Sequence, residues 1–289
     1  MLVKNKFIVF ILTHGRSDKV ITEKSLRKSG YSGRIVYIVD DEDKTLDLYL
    51  AKFGEENVYV FDKKAYADAI DEGNNFDDRR AIIHARNACF DAAKHLGYTY
   101  FIQLDDDYTG FEYRIDIDGG VVKPIKNLDP ILDKMFDFYR STSCKAIAFS
   151  QGGDFIGGLN NGKKSYRFNK RKCMNSFFCS TERAFSFFGA INEDVNAYTL
   201  LASRGDIFLT IPFVSLVQRT TQSQNSGMTD WYAKFGTYCK SFTTTLYMPS
   251  AVKVKMLNSS KKRLHHSICW KNVTPQIISE RHKKPSLVE

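Results

Sequence analysis

The N-terminal third of the chain alternates short β-rich apolar runs with stretches of helical period, and each run closes in polar or charged residues. Phe7 to Leu12 is the first run, ending in Thr13-His14-Gly15-Arg16. Residues 17–29 read as a helix, with Ser17 placed to cap it and Gly30 to end it. Residues 34–39 form a second strand that runs into Asp40-Asp41, residues 45–53 a second helix, and residues 57–61 a third strand. A long helix over residues 79–96 leads into a fourth run, residues 98–104, which Asp105-Asp106-Asp107 closes. Alternation of this kind predicts an α/β fold with a doubly wound, mostly parallel sheet. Ligands of such sheets sit outside the carboxyl ends of the strands. That rule gathers Thr13 to Arg16, Asp40-Asp41 and Asp105 to Asp107 at one rim.

The aspartate triplet carries the chemistry. In a strand-like register Asp105 and Asp107 point to one side and Asp106 to the other. Two carboxylates held together at a sheet edge are costly unless a cation sits between them. Hard oxygen ligands suit Mg2+ or Mn2+, which bind through one or two carboxylates plus substrate phosphates. The expectation is a metal–phosphate site. Without a metal the triplet would be an acidic, solvated turn, and Tyr108-Thr109-Gly110 has the composition of one.

Within the long helix, Ile82, Ile83, Phe90, Ala93 and Leu96 make an apolar stripe, and Arg86 falls on it. A guanidinium facing a core needs an anion, and the aspartate cluster or a phosphate would serve. The alternative is an arginine at the stripe edge that reaches water.

The second half opens with a strand at residues 146–150, followed by a Gly- and Lys-rich stretch to residue 172 that is too long for a simple connection. Its Gly157 to Lys164 segment approaches a P-loop, but Lys164 stands where Ser or Thr must hold Mg2+ and no helical pattern follows. Lys163, Lys164, Arg167, Lys170, Arg171 and Lys172 interleave with Tyr166 and Phe168, a mixture suited to phosphate contact and base stacking. Phe177-Phe178 and residues 207–211 read as further strands. Between them Glu193-Asp194 offers either a general base or an acidic helix start. His265-His266, after Lys261-Lys262-Arg263, could complete the metal shell or lie as a surface pair.

The net charge of +9, from 42 Lys and Arg against 33 Asp and Glu, leans toward a polyanionic partner. The six cysteines form no Cys-x-x-Cys pair, which argues against a zinc site or a disulfide framework and fits a reducing cytoplasm. No apolar run reaches the ~18 residues of a membrane span, and Phe7 to Leu12 reads as a buried strand in preference to a signal peptide. The chain is expected to be one domain over residues 1–289, with an N-terminal half (1–110), a second half (111–275) and a flexible tail (276–289).

The order of these features resembles the nucleotide-sugar glycosyltransferases of the GT-A fold. Within that fold, Thr13-His14-Gly15-Arg16, Arg86-Asn87, the aspartate triplet, Asn192-Glu193-Asp194, Gln224-Asn225-Ser226-Gly227-Met228 and the stretch from His265 to Asn272 resemble the phage TET-associated glycosyltransferases. The resemblance implies transfer of a sugar, from a UDP-sugar first of all, to a hydroxymethylated pyrimidine in DNA, with Mn2+ or Mg2+; residues 1–110 would bind the nucleotide sugar and residues 111–275 the acceptor. It implies a GT-A-like sheet with an acceptor-side extension. Asp105 and Asp107 then hold metal and diphosphate, with His265 or His266 as a further ligand. Thr13, Gly15, Arg16, Asp40, Asp41, Arg86, Asn87 and Asp106 line the donor, Asp40 or Asp41 meeting the nucleobase. Asp194, with Glu193 as its rival, is the base, and a single displacement inverts the anomeric centre. The basic loop from Lys163 to Lys172 meets DNA. The competing readings are a glycosyltransferase acting on a protein or surface polysaccharide, a non-catalytic DNA-binding module, and a two-metal nuclease. A binding module has no use for the triplet, and a nuclease needs more scattered acidic ligands.

Overall fold

The computed structural model describes residues 7–70, 79–115, 121–151, 170–218, 236, 238–258 and 262–275. Eleven strands fall in this order: β1 Phe7–Leu12, β2 Ile35–Asp40, β3 Val58–Phe61, β4 Tyr100–Asp105, β5 Tyr108–Ile115, β6 Val121–Pro124, β7 Ala146–Ser150, β8 Ser176–Ser180, β9 Phe208–Gln218, β10 Val252–Asn258 and β11 Lys262–Ile268. The helices are α1 Thr22–Lys28, α2 Leu46–Phe53, α3 Lys63–Asp68, α4 Ile83–His95, α5 Asp129–Ser141, α6 Glu193–Ser203, α7 Cys239–Tyr247 and α8 Trp270–Val273. Nine strands make one sheet in the order β3-β2-β1-β4-β8-β7-β9-β5-β6. Strands β3, β2, β1 and β4 run parallel, β8 runs against its neighbours β4 and β7, and β7 and β9 are again parallel. This is the doubly wound, mostly parallel α/β sheet expected from the sequence. A separate two-stranded ribbon, β10-β11, extends beside it.

The strands are apolar on both faces because both faces are covered. Ile8, Phe10 and Phe101 join one core, into which α4 and α6 send Ile83, Phe90 and Val195. Val9, Ile11, Ile102 and Leu104 join the other, against Tyr49 of α2 and Leu132, Phe136 and Tyr139 of α5. The pleat therefore sets which face each rim residue addresses. Asp105, in step with Phe101 and Gln103, turns to the α4 face, and Asp106 turns to the other.

Local readings differ from the structure at several points. α1 begins at Thr22, with Ile21 at its N-cap and no side-chain cap, so Ser17 does not cap it. Gly30 does follow the helix, at a positive φ of 86°. α4 begins at Ile83, four residues later than the expected start at residue 79. Tyr108-Thr109-Gly110 is not a turn but the start of β5, which pairs antiparallel with β9 through a register shift between Tyr108 and Gly110. Tyr108 is fully buried, and burying that ring outweighs the local turn preference. β9 runs seven residues beyond its expected end at Ile211. Pro212 lacks an amide donor, the pairing with β7 shifts register there, and Ser150 Oγ donates to the carbonyls of Pro212 and Val214.

Candidate active site

Arg86 is the pivot of the rim. It stands on the core face of α4, 1% exposed, flanked by the rings of Phe177 and Phe187 at 5.4 and 5.8 Å. Its Nε donates to Glu193 Oε1 at 2.7 Å and its Nη2 to Asp105 Oδ1 at 3.0 Å. One guanidinium thus ties the end of β4 to the start of α6. The anion that its place on the apolar stripe demanded is supplied twice over, by protein carboxylates. Asp105 and Glu193 raise the Arg86 pKa against the burial that lowers it, so the charge is held. Burial pushes Asp105 up to about 7 despite Arg86, and Asp107, Glu193 and Asp106 push it the same way. The cluster carries more negative charge than Arg86 can balance.

The other side of β4 is closed by Asp106. Its Oδ2 accepts from Thr13 Oγ1 at 2.8 Å, and Arg16 Nη1 lies 3.4 Å from its Oδ1. Burial raises the Asp106 pKa against the pull of Arg16 and Thr13. Tyr49 Oη accepts the Arg16 backbone N–H and shares a hydrogen bond with Thr13 Oγ1. The loop after β1 is thus stitched to β4 and α2. Gly15 turns the loop at φ 64° and donates its N–H to Asp43 Oδ2. Asp40, buried at the end of β2, meets His14 Nδ1 at 2.6 Å and accepts from Lys63 Nζ at 3.2 Å. Burial raises its pKa, but His14 and Lys63 outweigh that and lower it. Asp41 is exposed and accepts the Lys63 amide.

Asp194 sits one residue into α6, 6% exposed, its Oδ1 accepting the Val195 N–H. Burial and the neighbouring Glu193 push it up to about 6. The pair is divided by its contacts: Arg86 donates to Glu193, whereas among the described residues it makes no ion pair with Asp194 and acts there only through its charge, which pulls the Asp194 pKa down against the burial. α6 is entered through Asn192, held at φ 57° with its Nδ2 donating to Lys240 O and Thr244 Oγ1 of α7.

A family model of the TET-associated glycosyltransferases matches residues 7–227, which takes in the whole rim. The chain belongs to that family. A comparison with curated proteins finds no match. Solved structures with similar folds include a glucosyl-3-phosphoglycerate synthase from Mycobacterium tuberculosis in complex with Mg2+ and UDP, at 9% identity and TM-score 0.46, covering 91% of this chain and 87% of that one. They also include a mannosyltransferase from Pyrobaculum calidifontis in complex with GDP-mannose and Mn2+, at 12% identity and TM-score 0.49, covering 81% and 61%. A third is TarS of S. aureus in complex with UDP-GlcNAc, at 15% identity and TM-score 0.40, covering 79% and 64%.

Several residues of this glycosyltransferase stand elsewhere than the sequence placed them. Asn87 does not line the donor: its Nδ2 donates to Phe187 O and its Oδ1 accepts Phe187 N, so it pins the segment before α6. Arg16, Arg86 and Asp106 are engaged with each other or with protein carboxylates. Asp107 accepts from Gln218 Nε2 at 3.2 Å, which ties it to β9. His265 and His266 lie on β11; Lys172 and Lys240 act on both, and Arg263 acts on His265. Burial first, and those cations next, push His265 down to about 4 and His266 to about 2. Among the described residues no group of three or more His, Cys, Asp or Glu gathers for a metal. Lys163, Lys164 and Arg167 of the basic loop, and Gln224 to Met228, lie outside the described residues. Of the remainder, Lys170 is exposed, Arg171 is buried, and Lys172 Nζ rests 2.8 Å from His266 Nε2. Arg171 is therefore not placed for a phosphate in solvent. The sequence named His14 only as a member of the rim run and did not single out Asp43, Tyr49 and Lys63, which with it organise the β1 and β2 ends. Their signal was weak, since only the three-residue step from Asp40 to Asp43 hints at a shared loop.

Proposed function

We propose that this protein transfers a sugar from a nucleotide-sugar donor, a UDP-sugar first of all, to the hydroxymethyl group of a modified pyrimidine in DNA, with a divalent metal. The observation that carries the reading is the meeting of Asp105 and Glu193 on one buried guanidinium, with Asp194 next to Glu193 at the start of α6, at the rim where such sheets bind ligands. The donor set suits Mn2+ or Mg2+. It is all oxygen, and burial, with the neighbouring carboxylates adding to it, lifts Asp105 to about 7, a cost that a divalent ion would offset. Two protein carboxylates, Asp105 and Asp107, suffice where donor phosphates complete the shell. When bound, the ion would supply charge neutralisation for the departing diphosphate.

The chain's own residues do the rest. Arg86 fixes Asp105 and Glu193 in place. The stitching of Thr13, Arg16, Tyr49 and Asp106 holds the β1 loop, where Arg16 brings a positive charge to the donor side. Asp40 or Asp41, at the end of β2, meets the nucleobase. Asp194 accepts the proton of the acceptor hydroxyl, a role suited to a carboxylate whose pKa lies near the working pH. The acceptor oxygen forms the new bond to the anomeric carbon as the bond to the diphosphate oxygen breaks. One displacement of this kind inverts the centre.

The test is incubation with Mn2+, a duplex containing 5-hydroxymethylcytosine, and UDP-glucose, UDP-N-acetylglucosamine or GDP-mannose in turn, followed by mass spectrometry of the digested nucleosides. A sugar-bearing base with one donor, abolished by chelator, is the expected result. Transfer to a protein or polysaccharide fraction with none to DNA would overturn the acceptor.

A further inference from the structure

The β10-β11 ribbon lies beyond the residues that the family model matches, and apart from the expected metal-ligand role of His265 or His266 it has been given no task. Its register divides it into two faces. Val254 pairs with His266 and Val252 with Ile268 on the inner face, where Val252 and His266 are buried. Lys253 pairs with Ser267, Lys255 with His265 and Leu257 with Arg263 on the outer face. Lys253, Lys255 and Arg263 are all exposed, as is Lys262 near the tip. The strand sequences, VKVKMLN and KRLHHSI, hold no acidic residue. Among the described residues no carboxylate pairs with any of these four cations.

The ribbon is also bound to the helix that carries Asp194. Ser241 Oγ of α7 donates to Leu264 O of β11, while the Lys240 carbonyl of the same helix accepts from Asn192 at the start of α6. Just past β11, Trp270 stacks on Tyr198 of α6, with ring planes 8° apart. A rigid, outward-facing cationic strip is thus fixed relative to the proposed base.

We infer that the outer face of the β10-β11 ribbon is a duplex-DNA phosphate-binding surface, with Lys253, Lys255 and Arg263 as its contacts. The inference rests on the DNA-acceptor reading and adds the surface that would hold the duplex. Unpaired cations without acidic neighbours complement a polyanion. Two residues on one face of a strand stand about 6.6 Å apart, and a two-stranded ribbon is an element that B-DNA grooves accommodate. Lys172, tied to His266, places the end of the basic loop against the same ribbon.

The experiment is fluorescence anisotropy of a labelled duplex over a salt series, with the full chain. Wild type is compared with Lys253→Ala/Lys255→Ala/Arg263→Ala and with a control triple of exposed lysines elsewhere, Lys24→Ala/Lys28→Ala/Lys123→Ala. Each phosphate contact contributes about 0.9 to the slope of log affinity against log salt. The ribbon triple should therefore lower the slope by up to about 2.7. Between 50 and 200 mM salt that is about 40-fold less loss of affinity than wild type shows. The control triple should keep the wild-type slope. A double, Lys253→Ala/Lys255→Ala, should fall between the two. Circular dichroism and donor hydrolysis, which need no duplex, should be unchanged in all variants. A ribbon triple with the wild-type slope overturns the inference and leaves the DNA reading standing. A wild type with no salt-sensitive duplex binding, or one that binds vesicles of phosphatidylserine in place of duplex, overturns both.

Discussion

Replacing Arg86 by Met tests the buried bridge on which the site is built. Met keeps the apolar contact with Phe177 and Phe187, so packing is largely preserved and the loss is electrostatic. Two carboxylates at 2.7 and 3.0 Å lose their only guanidinium, and the residues involved are 1% (Arg86), 17% (Asp105) and 10% (Glu193) exposed at their side chains. At an effective dielectric of about 20, each unit pair at about 4 Å is worth about 4 kcal/mol. Desolvation already spent in the folded protein reduces the net value, and breaking a buried pair from one side costs about 3–5 kcal/mol. At about 2–4 °C per kcal/mol for a domain of roughly this size, the melting temperature should fall by roughly 6–20 °C. The deficit should depend on pH. Asp105 has its folded pKa raised to about 7, so its contribution favours the fold below the ordinary carboxylate pKa and is lost as pH rises through about 7. Without Arg86 that rise becomes larger, so the deficit should be greatest at pH 8 and shrink toward pH 5. Melting by circular dichroism, in EDTA, at pH 5, 6, 7 and 8 is the assay. Arg86→Met/Glu193→Gln should recover part of the loss, because one stranded charge is gone. A fall of less than about 2 °C at pH 8 (under ~1 kcal/mol), or a deficit that does not vary with pH, would refute the reasoning.

Other outcomes follow from the same geometry. Asp107→Asn should abolish the Mn2+-dependent part of UDP affinity in calorimetry while leaving the melting temperature within a few degrees; unchanged metal dependence would remove Asp107 from the site. Asp194→Asn should lower turnover by about 10²–10⁴-fold with donor affinity retained, and the acid limb of wild-type kcat/KM near pH 6 should vanish in it. Loss of that limb in Glu193→Gln alone would transfer the role. Asp194→Asn should also melt higher than wild type at pH 7.5 and not at pH 4, since a raised carboxylate pKa disfavours the fold only where the group is ionised. Gly189→Ala should destabilise by more than 1 kcal/mol, about the usual scale of a backbone misfit, because φ is 82° and the new Cβ would meet Asn196 Nδ2 at 2.6 Å and Tyr247 Cε2 at 2.7 Å; an unaltered denaturation midpoint would contradict the packing of α6 on α7.

What the sequence by itself determined is the N-terminal half of the sheet and the rim it presents. β1 to β4 and the helices between them are legible because their signals are local: apolar runs of strand length, helical period, and acids at the strand ends. The pleat alone predicted that Asp105 and Asp106 would address opposite faces, and they do. Arg86 was legible in kind, since a guanidinium on an apolar stripe needs an anion. Its second partner was not, because Glu193 lies 107 positions away. Asn87 looked like a donor contact until the backbone of Phe187, equally remote, took both ends of its amide. Tyr108-Thr109-Gly110 carries turn residues, and only pairing with β9 makes it a strand. His265 and His266 have the chemistry of metal ligands, and only the tertiary structure brings Lys172, 94 positions away, to His266. In each case the deciding term is a contact across long sequence separation, where burial and charge pairing are set by which elements meet, and no local pattern encodes that meeting.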